Sequence, residues 1–234
     1  MEDKRNVLRR EDLGQGKGVW VTRDSAITTD TLLLARFAAP KTRDRCADLG
    51  TGSGTIPILW RLAGAMGPIY AVEIQEELAV LAARSVEENG FSAEITVLHG
   101  DASKPKDLLP HQGLDLIACN PPYYPAGTGM TGSGARAVAR HEETLTLESL
   151  AQTARYALTY GGRLCVCLPV ERLAEAMRVF GTQGLEPKRL QLVQSKREKS
   201  PYLALLECYR GGKTGLVIEQ NLVLEPDPPH YGRG

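Results

Sequence analysis

Arg45-Cys46-Ala47-Asp48-Leu49-Gly50-Thr51-Gly52-Ser53-Gly54-Thr55 is the stretch that decides the fold. Arg45 to Leu49 reads as a buried strand, and it runs into a glycine turn that opens a helix. Glycines let the backbone bend tightly and come close to a ligand, and the N–H groups at the start of the helix point back at it. The dinucleotide fingerprint G-x-G-x-x-G is not met: its third glycine would fall on Thr55 counting from Gly50, or on Pro57 counting from Gly52. A glycine at position 54 suits a ligand that carries no pyrophosphate.

Two further strand ends extend the pattern. Glu73 follows the apolar run Ile69-Tyr70-Ala71-Val72, where an acid can accept both hydroxyls of a ribose. Asp101 comes after Ile95-Thr96-Val97-Leu98 and is placed to meet an adenine amino group. An acid after a strand is by itself more often a helix cap. A glycine turn followed by acids at successive strand ends nevertheless describes an adenosine pocket.

The next apolar strand, Leu116-Ile117-Ala118-Cys119, ends in Asn120-Pro121-Pro122-Tyr123. That ending is built to hold a planar amine, whose nitrogen lone pair is delocalised and therefore a poor nucleophile. An enzyme that alkylates such a nitrogen must accept both N–H hydrogens and turn the lone pair out of conjugation. The Asn120 side-chain oxygen and the Pro121 main-chain carbonyl can each accept one, while consecutive prolines fix φ and hold the turn extended. Tyr123 offers a π face on which a flat substrate can stack. Asn120, Pro121, Pro122 and Tyr123 are thus the candidate catalytic residues; the bland alternative is a proline-rich turn.

Asp48-Leu49-Gly50-Thr51-Gly52-Ser53-Gly54, Glu73, Asp101 and Asn120-Pro121-Pro122-Tyr123 resemble the motifs of the class I methyltransferases that act on exocyclic or amide nitrogen. Thr29-Asp30-Thr31-Leu32-Leu33-Leu34-Ala35, Ala139-Arg140-His141-Glu142, and Leu205-Leu206-Glu207 leading to Arg210-Gly211-Gly212-Lys213 extend the likeness to the bacterial tRNA1(Val) adenine-37 N6-methyltransferases. The resemblance implies S-adenosylmethionine as cofactor, held by Asp48, Gly50, Thr51, Gly52, Ser53, Gly54, Glu73, Ile74, Asp101, Ala102 and Asn120. Asp48 would support the glycine turn and the cofactor's amino acid part. It also implies a Rossmann-like α/β fold: a seven-stranded, mostly parallel sheet with an antiparallel edge hairpin, and helices on both faces.

The rest of the chain fits that expectation. Its 234 residues suffice for one α/β domain. Strand-like and helix-like runs alternate, with helices near 30–39 (opened by Thr29 or Asp30 and stopped at Pro40), 54–65, 75–89 and 145–159. Gly161-Gly162 reads as the stop of the last of these, before the strand Arg163 to Leu168. The final strands, 185–194 and 201–209, lack a helix between them, which predicts an antiparallel edge pair. Residues 1–25 read as a hairpin extension around Gly14-Gln15-Gly16-Lys17-Gly18, 26–224 as the methyltransferase domain, and 225–234 as a proline-rich tail. No apolar run is long enough for a membrane span and no secretory signal is visible, which predicts a cytoplasmic protein. Cys46, Cys119, Cys165, Cys167 and Cys208 read as reduced core thiols, and no metal-ligand spacing accompanies them.

Net charge is zero, whereas nucleic-acid proteins are often basic. Basic residues do gather locally: Lys188, Arg189, Lys196, Arg197, Lys199, Arg210 and Lys213, against Glu198 and Glu207. Lys196, Arg197 and Lys199, with Tyr123, Arg136 and Arg140, are the candidate contacts to a tRNA anticodon stem-loop; a solvated charged turn is the alternative. His141 reads as structural, since the chemistry offers an imidazole no early proton. Two other functions use the same residues: N5-methylation of a protein glutamine, and a silent RNA-binding domain. The first usually brings an N-terminal helical domain, for which the residues before Ser25 leave no room; intact Asn120, Glu73 and glycine turn speak against the second.

Overall fold

The computed structural model describes residues 7–23, 25–121 and 145–225. Its centre is a nine-stranded sheet in the order β10-β8-β9-β7-β6-β3-β4-β5 with β11 also on β8. The strands are β3 Cys46–Leu49, β4 Ile69–Glu73, β5 Ile95–His99, β6 Leu114–Cys119, β7 Leu158–Pro169, β8 Leu185–Gln194, β9 Leu203–Arg210, β10 Val217–Ile218 and β11 Leu222–Val223. β3 pairs parallel with β4 and β6, β4 with β5, and β6 with β7. Among the described strands of the sheet only β9, inserted between β7 and β8, runs the other way. Because the central strands are covered on both faces, they read as near-continuous apolar runs.

One face carries the hairpin β1 Arg9–Gly14 and β2 Lys17–Val21, together with α1 Thr29–Ala38, α2 Thr55–Leu62 and α3 Glu76–Glu88. Val19 and Val21 of the hairpin pack with Leu34, Phe37, Ile58 and Trp60. Asn89 at the end of α3 fastens the hairpin by accepting from Gly18 N at 3.1 Å and donating to Gly18 O. The other face carries α4 Leu147–Ala157 and α5 Leu173–Thr182, whose Leu150, Ala154 and Phe180 meet Leu49, Ile117 and Leu164. The two layers alternate along each strand as the period of two requires.

Several expectations need correction. The seven expected strands form, but the two-residue strands β10 and β11 pair parallel with β8 beyond them, so the antiparallel pair β8–β9 is not the edge. Gly161 and Gly162 lie inside β7 and do not stop the helix, which ends at Ala157. Between Leu114↔Leu158 and Leu116↔Arg163 the register slips, so β7 bulges there. Gly161 has φ +81°, and a Cβ on Gly162 would meet Leu114 O at 3.1 Å; the glycines serve the bulge. Helix α1 begins at Thr29, one of the two expected openings, but its cap is Thr28, whose hydroxyl accepts from Thr31 N at 3.2 Å.

A buried ionic knot ties α1 to the sheet. Glu207 on β9 pairs with Arg163 at 3.0 Å and with Arg189 at 3.1 Å, and Arg163 reaches Asp44 at 3.1 Å. The same guanidiniums donate to Phe37 O, Ala38 O and Ala39 O, the last carbonyls of α1 and its cap. Cations there complement the helix dipole. Lys188 and Arg189, which gather with the other basic residues in sequence, are therefore committed to partners within the fold. Arg189 is spent on Glu207, Glu219 and the Phe37 ring, and Lys188 donates to Lys213 O and Gly215 O.

Candidate active site

β3 is flanked by β4 on one side and β6 on the other, and the chain order reverses direction there. Such a switch point opens a crevice beyond the carboxyl ends of the strands. Asp48, the glycine turn, Glu73, Ile74, Asp101, Ala102, Asn120 and Pro121 all stand at the carboxyl ends of β3, β4, β5 and β6. Residues distant in sequence are thus gathered by parallel pairing alone. Pro122, Tyr123, Arg136, Arg140 and His141 lie outside the described residues.

Gly50, Gly52 and Gly54 have φ of +76°, +57° and +84°, values that L side chains rarely adopt. A Cβ on Gly50 or Gly52 would meet no described atom within 4 Å, whereas one on Gly54 would lie 3.5 Å from Ala82 of α3, an ordinary contact. The first two therefore keep an open cradle, and the third is glycine for its positive φ. Gly50 N and Thr51 N donate to Val72 O at 2.9 and 3.0 Å, joining the turn to β4. Glu73 braces it further: one carboxylate oxygen accepts from Gly52 N and the other from Gln75 N, both at 2.9 Å. Ser25, which no local pattern singled out, bonds the Ser53 hydroxyl at 3.3 Å and brings the segment after the hairpin to the turn.

Asp48 is 1% exposed, and its Oδ2, like Thr51 Oγ1, has no hydrogen-bond partner among the described residues. Burial pushes the Asp48 carboxyl up to about 7, the Thr51 hydroxyl opposing the rise from outside bonding geometry and the charge of Glu73 adding to it. Leaving a buried acceptor unmet costs roughly 1–3 kcal/mol, so this corner is suited to a ligand that brings a donor or a positive charge. S-adenosylmethionine, with its ammonium group, fits that requirement.

Asp101 is only partly committed. Its Oδ1 accepts from Ser103 N at 2.9 Å and Ser103 Oγ at 2.7 Å, an Asx turn, and Lys104 lies 3.4 Å from Oδ2. Burial alone would raise its pKa, but Ser103 and Lys104 hold it below the usual carboxylate range. Ala102 O accepts from Thr153 of α4 at 2.8 Å, and Ile74 O lies 3.1 Å from His99 Nε2, so both neighbours are fixed through their backbones. Lys196, Arg197 and Lys199 sit in the β8–β9 turn, at the same end of the sheet as Asn120 but about 14 Å of strand spacing away. Lys196 is paired with Glu225 at 3.0 Å. Among the described residues, no helix is long and apolar enough to cross a membrane, and no group of His, Cys, Asp and Glu could hold a metal ion. All five cysteines are buried and none forms a disulfide among the described residues.

The fold and the crevice define a class I methyltransferase. The family model of the methyltransferase small domain matches residues 13–180. The tRNA1(Val) (adenine(37)-N6)-methyltransferase of Photobacterium profundum is 31% identical over 77% of this chain and 75% of its own length. That of Porphyromonas gingivalis is 30% identical over 88% of this chain and 83% of its own length. Among solved structures, Atu636 of Agrobacterium tumefaciens, described as a predicted O-methyltransferase, superposes with a TM-score of 0.68 at 22% identity, covering 86% of this chain and 90% of that one. At that identity the likeness bears on the fold alone. The chain belongs to the methyltransferase small domain family and, within it, to the tRNA1(Val) (adenine(37)-N6)-methyltransferase family, and is an S-adenosylmethionine-dependent N-methyltransferase.

Proposed function

We propose that this chain methylates the exocyclic N6 of adenine 37 in the anticodon loop of a tRNA, the reaction for which its curated relatives are named. The observation that carries the reading is the placement of Asn120 and Pro121 at the end of β6, directly beside the glycine turn of β3. A methyl acceptor held there faces a donor held by the turn. S-adenosylmethionine supplies a methyl group already activated on a sulfonium, so no metal is needed. Asn120 Oδ1 and the Pro121 carbonyl accept the two N–H hydrogens, and Tyr123 stacks on the ring. Positive charge develops on the nitrogen during attack, and fixed acceptors stabilise it without a strong base. An anticodon-loop adenine is unpaired and costs little to extrude.

In this reading Asp48, Gly50, Thr51, Gly52, Ser53, Gly54, Glu73, Ile74, Asp101, Ala102 and Asn120 hold the cofactor, with Glu73 on the ribose and Asp48 toward the amino acid part. Only ionised Asp48 attracts the ammonium, and its carboxyl titrates at about 7. Cofactor affinity should therefore rise as pH passes upward through neutrality and fall below it. Calorimetry on either side of neutrality checks this, and the Asp48→Asn variant should lose the dependence along with affinity. An equally steep profile in that variant would remove Asp48 from the contact.

Arg136, Arg140, Lys196, Arg197 and Lys199 would meet RNA phosphates, in a cytoplasmic setting where tRNA is the partner. Neutralised phosphates release counterions, at roughly 0.7–0.9 units of log affinity per log salt for each contact. Replacing Lys196, Arg197 and Lys199 together by Ala should flatten the salt slope by about 2 units, since Lys196 is shared with Glu225. Equal slopes would clear the turn of RNA contact. The site of methylation is tested with unmodified tRNA1(Val) transcripts carrying adenine or guanine at position 37. Methyl incorporation into the first only is expected, and equal incorporation into both would refute the assignment.

A further inference from the structure

Tyr202 takes no part in the site as described, yet it stands at the same end of the sheet. Strands run β6, β7, β9, β8 in order, so the start of β9 is about 10 Å from the end of β6 and about 5 Å from β8. Tyr202 immediately precedes β9 and follows the turn that carries Lys196, Arg197 and Lys199. Its backbone is fixed from both sides: its N–H donates to Val193 O at 3.0 Å, and its carbonyl accepts from Val170 N at 3.2 Å. The residue is nevertheless 40% exposed. Its hydroxyl meets no hydrogen-bond partner among the described residues. A ring held by a rigid backbone and left open to solvent loses little conformational freedom when something stacks on it.

We propose that Tyr202 is a stacking platform for a base of the tRNA loop next to the methylated adenine, lying between Asn120 and the basic β8–β9 turn. This rests on the RNA reading above. The charges around the ring favour a base over a phosphate. Partial burial, then the nearby Asp30 carboxylate of α1, raise the phenol pKa, so the hydroxyl stays protonated. That same carboxylate repels a phosphate but leaves a neutral base unopposed. The phosphates find cations one strand further on, and a stacked base is accepted whatever its sequence because every base has a π face. Tyr160 supplies the contrast: it is 81% exposed but sits at the start of β7, the opposite end of the sheet.

Steady-state kinetics on unmodified tRNA, with calorimetry for S-adenosylmethionine, test the platform. Tyr202→Ala should raise KM for tRNA roughly 5- to 150-fold, as for loss of one base stack. Its kcat, cofactor affinity and salt slope should stay unchanged, because no charge is removed. Tyr202→Phe should restore the parent KM, and Tyr160→Ala should match the parent. An unchanged KM in Tyr202→Ala, a loss in kcat without one in KM, or a Phe variant as weak as the Ala variant would overturn the platform. If the parent methylates no tRNA at all, the RNA reading itself fails and the platform falls with it; if the parent does and Tyr202→Ala is silent, only the platform falls.

Discussion

Replacing Asn120 with Ala is expected to lower the single-turnover rate by at least about a hundredfold, as for removal of one oriented polar group at a reacting centre. Asn120 sits where β6 ends, adjacent to the β3 end that turns at Gly50. A methyl acceptor whose N–H hydrogens are not both held keeps its lone pair delocalised into the ring and stays a poor nucleophile. Cofactor affinity should fall far less than the rate, because the glycine turn, Glu73 and Asp48, the other groups that hold the cofactor, are untouched. The split between rate and binding is the diagnostic part. A single-turnover rate within a few fold of the parent would mean that Asn120 does not orient the amine.

Glu207→Ala should lower stability by roughly 1–3 kcal/mol, because it removes a buried carboxylate shared by two guanidiniums and leaves Arg163 to Asp44 and Arg189 to Glu219. The Glu207 side chain is 5% exposed and serves Arg163, itself 11% exposed, and Arg189 together. Those arginines in turn bind the last carbonyls of α1, so losing their anchor also loosens a helix end that packs on β7 and β9. Urea unfolding of parent and variant measures the loss. A change below about 1 kcal/mol, the range of exposed ion pairs, would show that the knot does not bear on stability. Because the knot lies at the opposite end of the strands from the crevice, cofactor affinity of the folded variant should match the parent.

The parts of the fold that could be read in advance are those whose signal is local. Apolar runs such as Ile69 to Val72 are legible because buried parallel strands need no polar alternation, and the glycine turn is legible because Gly50 and Gly52 must take positive φ. The gathering of Glu73, Asp101 and Asn120 into one crevice then follows from strand order. Val217 and Ile218 escape because a two-residue strand has no period to detect, and both are exposed. Gly161-Gly162 misleads because a glycine pair ends a helix and permits a bulge equally well. The commitment of Arg189 is not legible because its partners Glu207 and Phe37 are far along the chain. Ser25 and Tyr202 carry no motif, and only their placement beside Ser53 and at the head of β9 brings them into view.

The central claim is tested most directly by incubating the chain with labelled S-adenosylmethionine and total tRNA that lacks the modification, then digesting the RNA to nucleosides. Label in N6-methyladenosine is the predicted result, with none for Asn120→Ala. Unlabelled RNA, from a preparation that labels a glutamine of a release factor supplied in a parallel reaction, would contradict it.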